Sequence, residues 1–212
     1  MAATNGKEEK TCQVSDVTEQ EEQQIAVPKL FGKWDVIGID VKNKGLARYL
    51  NLSPIYIPHS YGRHASSRFG KENVHVVERL INDMMRHGRM GGRKEIAMAI
   101  VYQAFNIIEA KTGKNPIEVL VRAIENSAIL EGTTRIIHGG IRYRVAVDVS
   151  PMRQLDLALR NITEGAREAA KASPKPIDEC LADEIIAASE NDARSFAIRA
   201  KHEEEQIAMA AR

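Results

Sequence analysis

The chain has 212 residues, of which 43% are hydrophobic and 28% charged, and its formal net charge is +1. This length can bury a core, while the apolar runs are far too short to cross a bilayer, so no membrane partner is expected. The N-terminus resembles neither a secretory signal nor a mitochondrial transit peptide. Cys12 and Cys180 lie far apart, and no Cys/His spacing suggests zinc. We expect a cytoplasmic protein without a cofactor or metal.

The small net charge hides a segregation along the chain. Residues 1–27 and residues 163–212 each carry a net charge of −4, whereas residues 28–162 hold 21 basic and 12 acidic residues, a net charge of +9. A basic middle between acidic ends favours a polyanionic partner. Residues 1–27 also lack hydrophobic periodicity, so we expect a mobile acidic extension there and a single helical domain over residues 28–212.

The first part of the basic middle is predicted to be irregular. Residues 29–40 carry the only tryptophan, Trp34, and are expected to pack on the body of the protein. Residues 51–59 should be extended, because Pro54 and Pro58 block a helix.

Apolar residues then recur at helical spacing. A glycine-rich break at residues 88–92 separates the first two helices. Asn115 with Pro116, and Ser150 with Pro151, suit the cap and first turn of two later helices. In chain order, helices are expected from about Val74 to Met85, from Ile96 to Thr112, after Pro116, after Pro151 and from Ile177 onward. Residues 195–212 are strongly charged and are expected to be helical from their composition.

Before Pro151 the apolar spacing changes to every second residue. Residues 141–149 alternate apolar with mostly polar side chains, which predicts a strand with two distinct faces. Residues 133–137 favour β structure, and Gly139-Gly140 can supply the positive φ angles of a tight turn. No other segment indicates a strand, so this hairpin, over about residues 133–149, should be an arm stabilised by the helices or by a partner. The predicted fold is mainly α, a bundle of about six helices with one protruding β-hairpin arm.

No constellation of residues indicates catalysis. The stretch at residues 88–94 lacks the G-x-x-x-x-G-K-[ST] spacing of a phosphate loop and follows a helix rather than a strand. The run Glu203-Glu204-Glu205 is typical of a solvated helix face, and no Ser/His/Asp or Cys/His set can be proposed. We therefore predict that the protein is not an enzyme.

Three basic clusters in the middle of the chain are candidate RNA-binding sites. Each alone could be a solubilising surface, but three clusters confined to one part of the chain favour RNA. Tyr61 and Phe69 are interleaved with the first, and glycines in the second let the backbone approach a phosphate. The first cluster comprises Arg63, His64, Arg68 and Lys71, the second Arg86, Arg89, Gly92, Arg93 and Lys94, and the third, on the hairpin, Arg135, Arg142 and Arg144.

These residues lie within motifs of a known family. Residues 75–128, which include HVVERLINDMMRHGRMGGRKEI, resemble the signature region of the S-seven family of small-subunit ribosomal proteins, and GGIRYRVAVDVSP (139–151) resembles its extended arm. LFGKW (30–34), PHSYGRHASSRFGK (58–71) and SFAIRAKHEEEQIAMAAR (195–212) are similar to the archaeal and eukaryotic branch, which is called S-five in eukaryotes. The resemblance covers roughly residues 29–212.

The resemblance implies a structural constituent of the small ribosomal subunit. Members bind the 3′ major domain of its rRNA and nucleate assembly of the head, and their hairpin and C-terminus reach the E site, near mRNA, exit-site tRNA and the platform protein S-eleven. The family's glycine–basic–basic signature falls on Gly92, Arg93 and Lys94, and Arg153 and Gln154 stand where many members have two basic residues. The implied contacts with mRNA or tRNA are Arg135, His138, Gly139, Gly140, Arg142, Tyr143 and Arg144 in the hairpin and Arg212 at the C-terminus.

Three alternative interpretations stay open at the level of sequence. A non-ribosomal RNA-binding factor, such as an assembly chaperone, would carry similar basic clusters. An enzyme acting on RNA would need a clustered acid, base or metal set, which the sequence does not offer. A mitochondrial member of the same family is disfavoured by the acidic N-terminus.

Overall fold

The computed structural model of the protein describes residues 28–86, 88–171 and 173–212. The predicted extension over residues 1–27 lies outside the described residues. In the described part, seven α-helices accompany one two-stranded antiparallel sheet. The helices are α1 (Lys44–Ala47), α2 (Val76–Met84), α3 (Lys94–Thr112), α4 (Pro116–Ser127), α5 (Pro151–Lys171), α6 (Ile177–Ser189) and α7 (Phe196–Ala210), and the strands are β1 (Glu131–His138) and β2 (Ile141–Asp148).

The predicted fold class is confirmed by six long helices and one hairpin. The additional helix, α1, is a single turn of four residues, too short for apolar periodicity to detect. The predicted cap of α4 is present, because the side chain of Asn115 accepts a hydrogen bond of 3.1 Å from the backbone N–H of Ile117. Local sequence therefore sets this helix start in the way that Asn-Pro pairs usually do.

The core lies around α6, which packs against α3, α4 and α5. Fully buried side chains from all four helices meet there, and each contributes about 1.5–3 kcal/mol by leaving water. They include Phe105, Ile108, Leu120, Ile124, Leu159, Leu181 and Ile185. No helix in the described residues is long and apolar enough to span a membrane.

The segment around Trp34 packs on this core, as predicted. Leu30 and Trp34 are buried, and the indole Nε1 of Trp34 donates a hydrogen bond of 3.1 Å to Glu109 on α3. The Trp34 ring also meets Phe105 edge to face at a centroid distance of 5.5 Å. These contacts fix the N-terminal segment to the outer face of α3.

The hairpin arm is closed by a two-residue turn in which Gly139 and Gly140 have φ angles of 57° and 83°. Two consecutive positive φ angles define a type I′ turn, whose twist matches that of the strands. β1 and β2 pair in register from Glu131 opposite Asp148 to His138 opposite Ile141. The base of the arm packs against α7, whereas most side chains further out are exposed.

Candidate nucleic-acid interface

The arm has one basic face and one apolar face. Residues directly opposite each other in an antiparallel pair lie on the same face, and Arg135 stands opposite Arg144. Like charges in this position destabilise a hairpin, so the pairing favours an anionic partner. The opposite face carries exposed apolar side chains, namely Ile136, Ile141, Tyr143, Val145 and Val147.

The first basic cluster lies in a loop of residues 59–73, called here the basic loop. It contains two short 3₁₀ turns, Arg63–Ser66 and Gly70–Asn73. Gly70 packs directly on the backbone carbonyl of His64, where a Cβ atom would clash, so a glycine is required at that position. This packing holds the two turns together and leaves Arg63 and Arg68 exposed.

A buried carboxylate ties the basic loop to the N-terminus of α3. Glu78 on α2 is 3% exposed, and its Oε1 accepts hydrogen bonds from the backbone N–H and the hydroxyl of Ser60, both at 2.8 Å. The same oxygen accepts one from Nζ of Lys94 at 2.5 Å. Three separate segments therefore meet at one oxygen atom.

The charge on Glu78 is stabilised by these contacts. Burial by itself raises the pKa of this carboxyl, but the hydrogen bonds from Lys94 and Ser60 outweigh burial and lower the pKa below its ordinary value. The side chain of Lys94 is 18% exposed in this ion pair. The geometry thus places Lys94 in a structural contact, and its prediction as a phosphate ligand stays a prediction.

A second acidic side chain ties the end of the basic loop to α2 and α5. Asp156 on α5 accepts a hydrogen bond of 2.8 Å from the guanidinium of Arg79, whose side chain is 2% exposed. Its other oxygen lies 2.7 Å from Nζ of Lys71. Arg79 also donates to the backbone carbonyl of Tyr49 at 3.3 Å. We refer to Glu78 and Asp156 as the two acidic anchors.

The anchors bring the first two predicted clusters and the start of α5 together on one side of the protein. Arg153 is exposed one helical turn before Asp156 and so lies on the same face of α5. Gln154 is buried, and its amide donates a hydrogen bond of 2.8 Å to the carbonyl of Val149, so it faces the arm base rather than a ligand. The exposed side chains of this basic surface are Arg63, Arg68, Lys71, Arg86, Arg93 and Arg153.

The turn before α3 adds backbone donors to this surface. Gly92 has a φ of 76°, which a glycine adopts without strain and which leads the chain into the helix. Among the described side chains, none caps the N-terminus of α3. Its first backbone N–H groups can therefore bind an anion, which the helix dipole also stabilises. Arg86 lies nearby in sequence and is partly engaged with Asp83 at 3.4 Å.

Some predicted residues fall elsewhere or outside the described side chains. His64 is half-buried in the basic loop, with Nδ1 3.1 Å from the hydroxyl of Ser60. Arg212 forms an ion pair with Glu131 at the base of the arm, which places the C-terminus beside the hairpin. The side chains of Arg89 and His138 lie outside what the structure describes, so those two predictions stay untested.

The acidic anchors were missed by reasoning from basic clusters alone. The sequence contains one signal that Glu78 is buried. This residue lies four residues after Val74 and three before Ile81, which places it on the apolar stripe of α2. A carboxylate on such a stripe is buried and therefore paired. Asp156 has no comparable signal, because its partner Arg79 is 77 residues away in sequence.

The described residues contain no group of three or more His, Cys, Asp or Glu side chains placed to hold a metal ion. The candidate interface consists of exposed arginines, one helix N-terminus and a protruding arm. Such groups are suited to contact with a phosphate backbone.

Comparison with known proteins identifies the family. A model of the family described as "Ribosomal protein S7p/S5e" matches residues 46–212. The chain is similar to the small ribosomal subunit protein uS7 of Methanothermobacter thermautotrophicus, with 50% identity over 182 residues that cover 86% of this chain and 98% of the relative. The corresponding protein of Methanosphaera stadtmanae is 49% identical over 86% of this chain and 98% of its own, and that of Methanococcoides burtonii 46% identical over 87% and 99%. The chain therefore belongs to the S7p/S5e family of ribosomal proteins.

Proposed function

We propose that the protein is a structural constituent of the small ribosomal subunit in the cytoplasm. In this proposal it binds the 3′ major domain of the small-subunit rRNA and nucleates assembly of the head, and residues 28–212 act as one helical domain. The observation that supports this best is the basic surface whose three segments are tied together by Glu78 and Asp156. Members of this ribosomal protein family have a structural role, so the chain is not an enzyme.

The basic surface suits contact with several rRNA helices at once. One guanidinium group can bind two oxygens of a phosphate at once. The exposed arginines come from the basic loop, the turn before α3 and the start of α5. The proposed rRNA contacts are Arg63, His64, Arg68, Lys71, Arg86, Arg89, Gly92, Arg93, Lys94 and Arg153. Within this set, Lys94 forms an ion pair with Glu78. Its proposed role is therefore to hold the start of α3 against the basic loop, so that the neighbouring arginines are positioned for the RNA.

Binding to a transcript of the 3′ major domain should weaken steeply with salt, because each phosphate contact releases counterions. With roughly six contacts, the log–log slope of affinity against salt should be about −4 to −5. Filter-binding titrations measure it. Arg93→Ala should reduce the magnitude of the slope by about 0.7–0.9, whereas Arg194→Ala, which removes a charge that is 91% exposed in the loop before α7, should leave it unchanged. A slope near zero for the wild-type protein would refute the electrostatic model.

The arm is proposed to have a separate task. We infer that it contacts mRNA and exit-site tRNA in the assembled subunit through Arg135, His138, Gly139, Gly140, Arg142, Tyr143 and Arg144, with Arg212 nearby and S-eleven as a neighbour. Two observations support this division. The arm is eight residue pairs long, about 26 Å at ~3.3 Å per residue, and beyond its base, which packs against α7, most of its side chains are exposed. Its facing arginines favour an anionic partner.

Shortening the arm should leave rRNA binding largely intact. Replacing residues 137–142 by Asn-Gly keeps a two-residue turn between Ile136 and Tyr143, which are directly paired, and so preserves the register. We expect an unchanged filter-binding affinity for the 3′ major domain but altered chemical footprints of exit-site tRNA or mRNA in reconstituted subunits. A loss of rRNA affinity as large as that of an Arg63→Ala/Arg93→Ala double variant would contradict the division of tasks.

A further inference from the structure

One aromatic side chain in the basic loop is held away from the protein. Tyr61 is 78% exposed, more than any other tyrosine, phenylalanine or tryptophan in the described part of the chain. Its φ is 52° and that of Gly62 is 75°. A bulky residue rarely adopts a left-handed conformation, and such strain persists only where the surrounding structure imposes it. The loop therefore maintains an unfavourable backbone conformation that presents an aromatic ring to the outside.

His59 holds this ring in place. The backbone N–H of Tyr61 donates a hydrogen bond of 3.0 Å to Nδ1 of His59. The two rings lie with centroids 4.1 Å apart and an interplanar angle of 49°. The tyrosine ring is thus braced on one side, which reduces the side-chain entropy that is lost when a ligand stacks on it.

A groove lined mainly by polar residues lies beside the exposed ring. It has a volume of about 470 Å³, within the range of small-ligand pockets. Besides Tyr61, its walls include Ser60, Arg63, His64 and Asn73. The amide and imidazole groups there can hydrogen-bond to the edge of a planar heterocycle, and the guanidinium can bind an attached phosphate.

The hydrogen-bonding roles in this wall can be assigned. The hydroxyl of Ser60 donates its only proton to Glu78, so it must accept from the protonated Nδ1 of His64 across 3.1 Å. When the imidazole carries one proton, Nε2 is then an acceptor. The groove thus combines a hydrogen-bond acceptor, further polar groups and an aromatic face in a basic surrounding.

We propose that this groove binds one unpaired nucleobase of the rRNA. Tyr61 supplies the stacking surface, His64 and Asn73 meet the base edge, and Arg63 binds the neighbouring phosphate. A base within a helix cannot expose its face, so the ligand is a nucleotide splayed out of a loop, bulge or junction. The proposal rests on the proposed binding of rRNA. It adds a contact with one base to a surface whose other proposed contacts are with the phosphate backbone of the RNA.

The test compares three variants on a transcript of the 3′ major domain. Tyr61→Asn removes the ring and suits the left-handed backbone, so it should fold and yet weaken binding about 5- to 150-fold with an unchanged salt slope. Tyr61→Phe keeps the stack and should stay within roughly twofold of the wild type. Tyr56→Asn, which removes an exposed ring outside the groove, should bind normally. Base-specific chemical probing should show one unpaired nucleotide protected by the wild type and Tyr61→Phe but reactive with Tyr61→Asn.

The outcomes separate this inference from the function on which it rests. Failure of the folded wild-type protein to bind the transcript would overturn the proposed function and the inference together. Wild-type binding combined with an equal affinity and an identical base footprint for Tyr61→Asn would overturn the inference alone. Thermal unfolding of each variant checks that the loop change has not unfolded the domain.

Discussion

Asp156→Ala is expected to lower the free energy of unfolding by about 2–3 kcal/mol, because it leaves the guanidinium of Arg79 buried without its carboxylate, although Asp156 itself is 35% exposed. This is a large part of the total stability of a typical domain, about 5–15 kcal/mol. The change also frees Lys71 from its only ion pair among the described residues. The protein should therefore be less stable even though its surface becomes more basic.

Chemical denaturation measures this effect against a matched control. Glu118→Ala breaks an exposed ion pair with Arg122 and removes the acidic side chain in the first turn of α4, which together contribute about 1 kcal/mol. Combining Asp156→Ala with Arg79→Met should restore part of the lost stability, because the buried charge is removed as well. If Asp156→Ala costs no more than Glu118→Ala, the buried pair does not have the role assigned to it.

Glu78→Ala is expected to cost about 3 kcal/mol of stability, because three donors lose the one oxygen that accepts from them all. It should also weaken binding to the 3′ major domain about tenfold, equivalent to ~1.4 kcal/mol. The change makes the protein more positive by one charge, so simple electrostatics predicts tighter binding. Weaker binding would show that alignment of the basic loop with α3 matters more than net charge.

Glu78→Gln separates charge from geometry in this prediction. The amide oxygen can still accept from Ser60, so affinity should fall less than in Glu78→Ala. Because the folded protein lowers the pKa of Glu78, its charge stabilises the fold at neutral pH, and this contribution is lost as the pH falls below about 4.5 through the folded-state pKa. Glu78→Gln should flatten that acid-dependent loss. Tighter RNA binding by either variant at pH 7 would contradict the role of the anchor.

Much of the fold could be predicted because its signals are local. Apolar spacing marked five of the six long helices, composition marked α7, Asn115-Pro116 marked the start of α4, and Gly139-Gly140 marked the turn of the arm. Each depends on residues within a few positions of one another. The short helix α1 and the 3₁₀ turns of the basic loop were not predicted, because a single turn is too short to show an apolar period.

The candidate interface could be predicted only in part. Clusters of arginine are visible in a sequence, but whether a basic side chain is free or paired depends on contacts across the fold. Lys94 and Lys71 belong to predicted clusters, yet they meet Glu78 and Asp156, which lie 16 and 85 positions away. The position of Glu78 on an apolar stripe was the one sequence signal of such pairing.

The two acidic anchors have a consequence for the thermodynamics of assembly. Because Glu78 and Asp156 order the basic loop within the folded protein, the conformational entropy of that loop is lost during folding and not when rRNA binds. A preorganised surface of this kind can dock as a rigid body and retain more of its contact energy as affinity. An early-binding protein built in this way would act as a template to which the flexible RNA conforms.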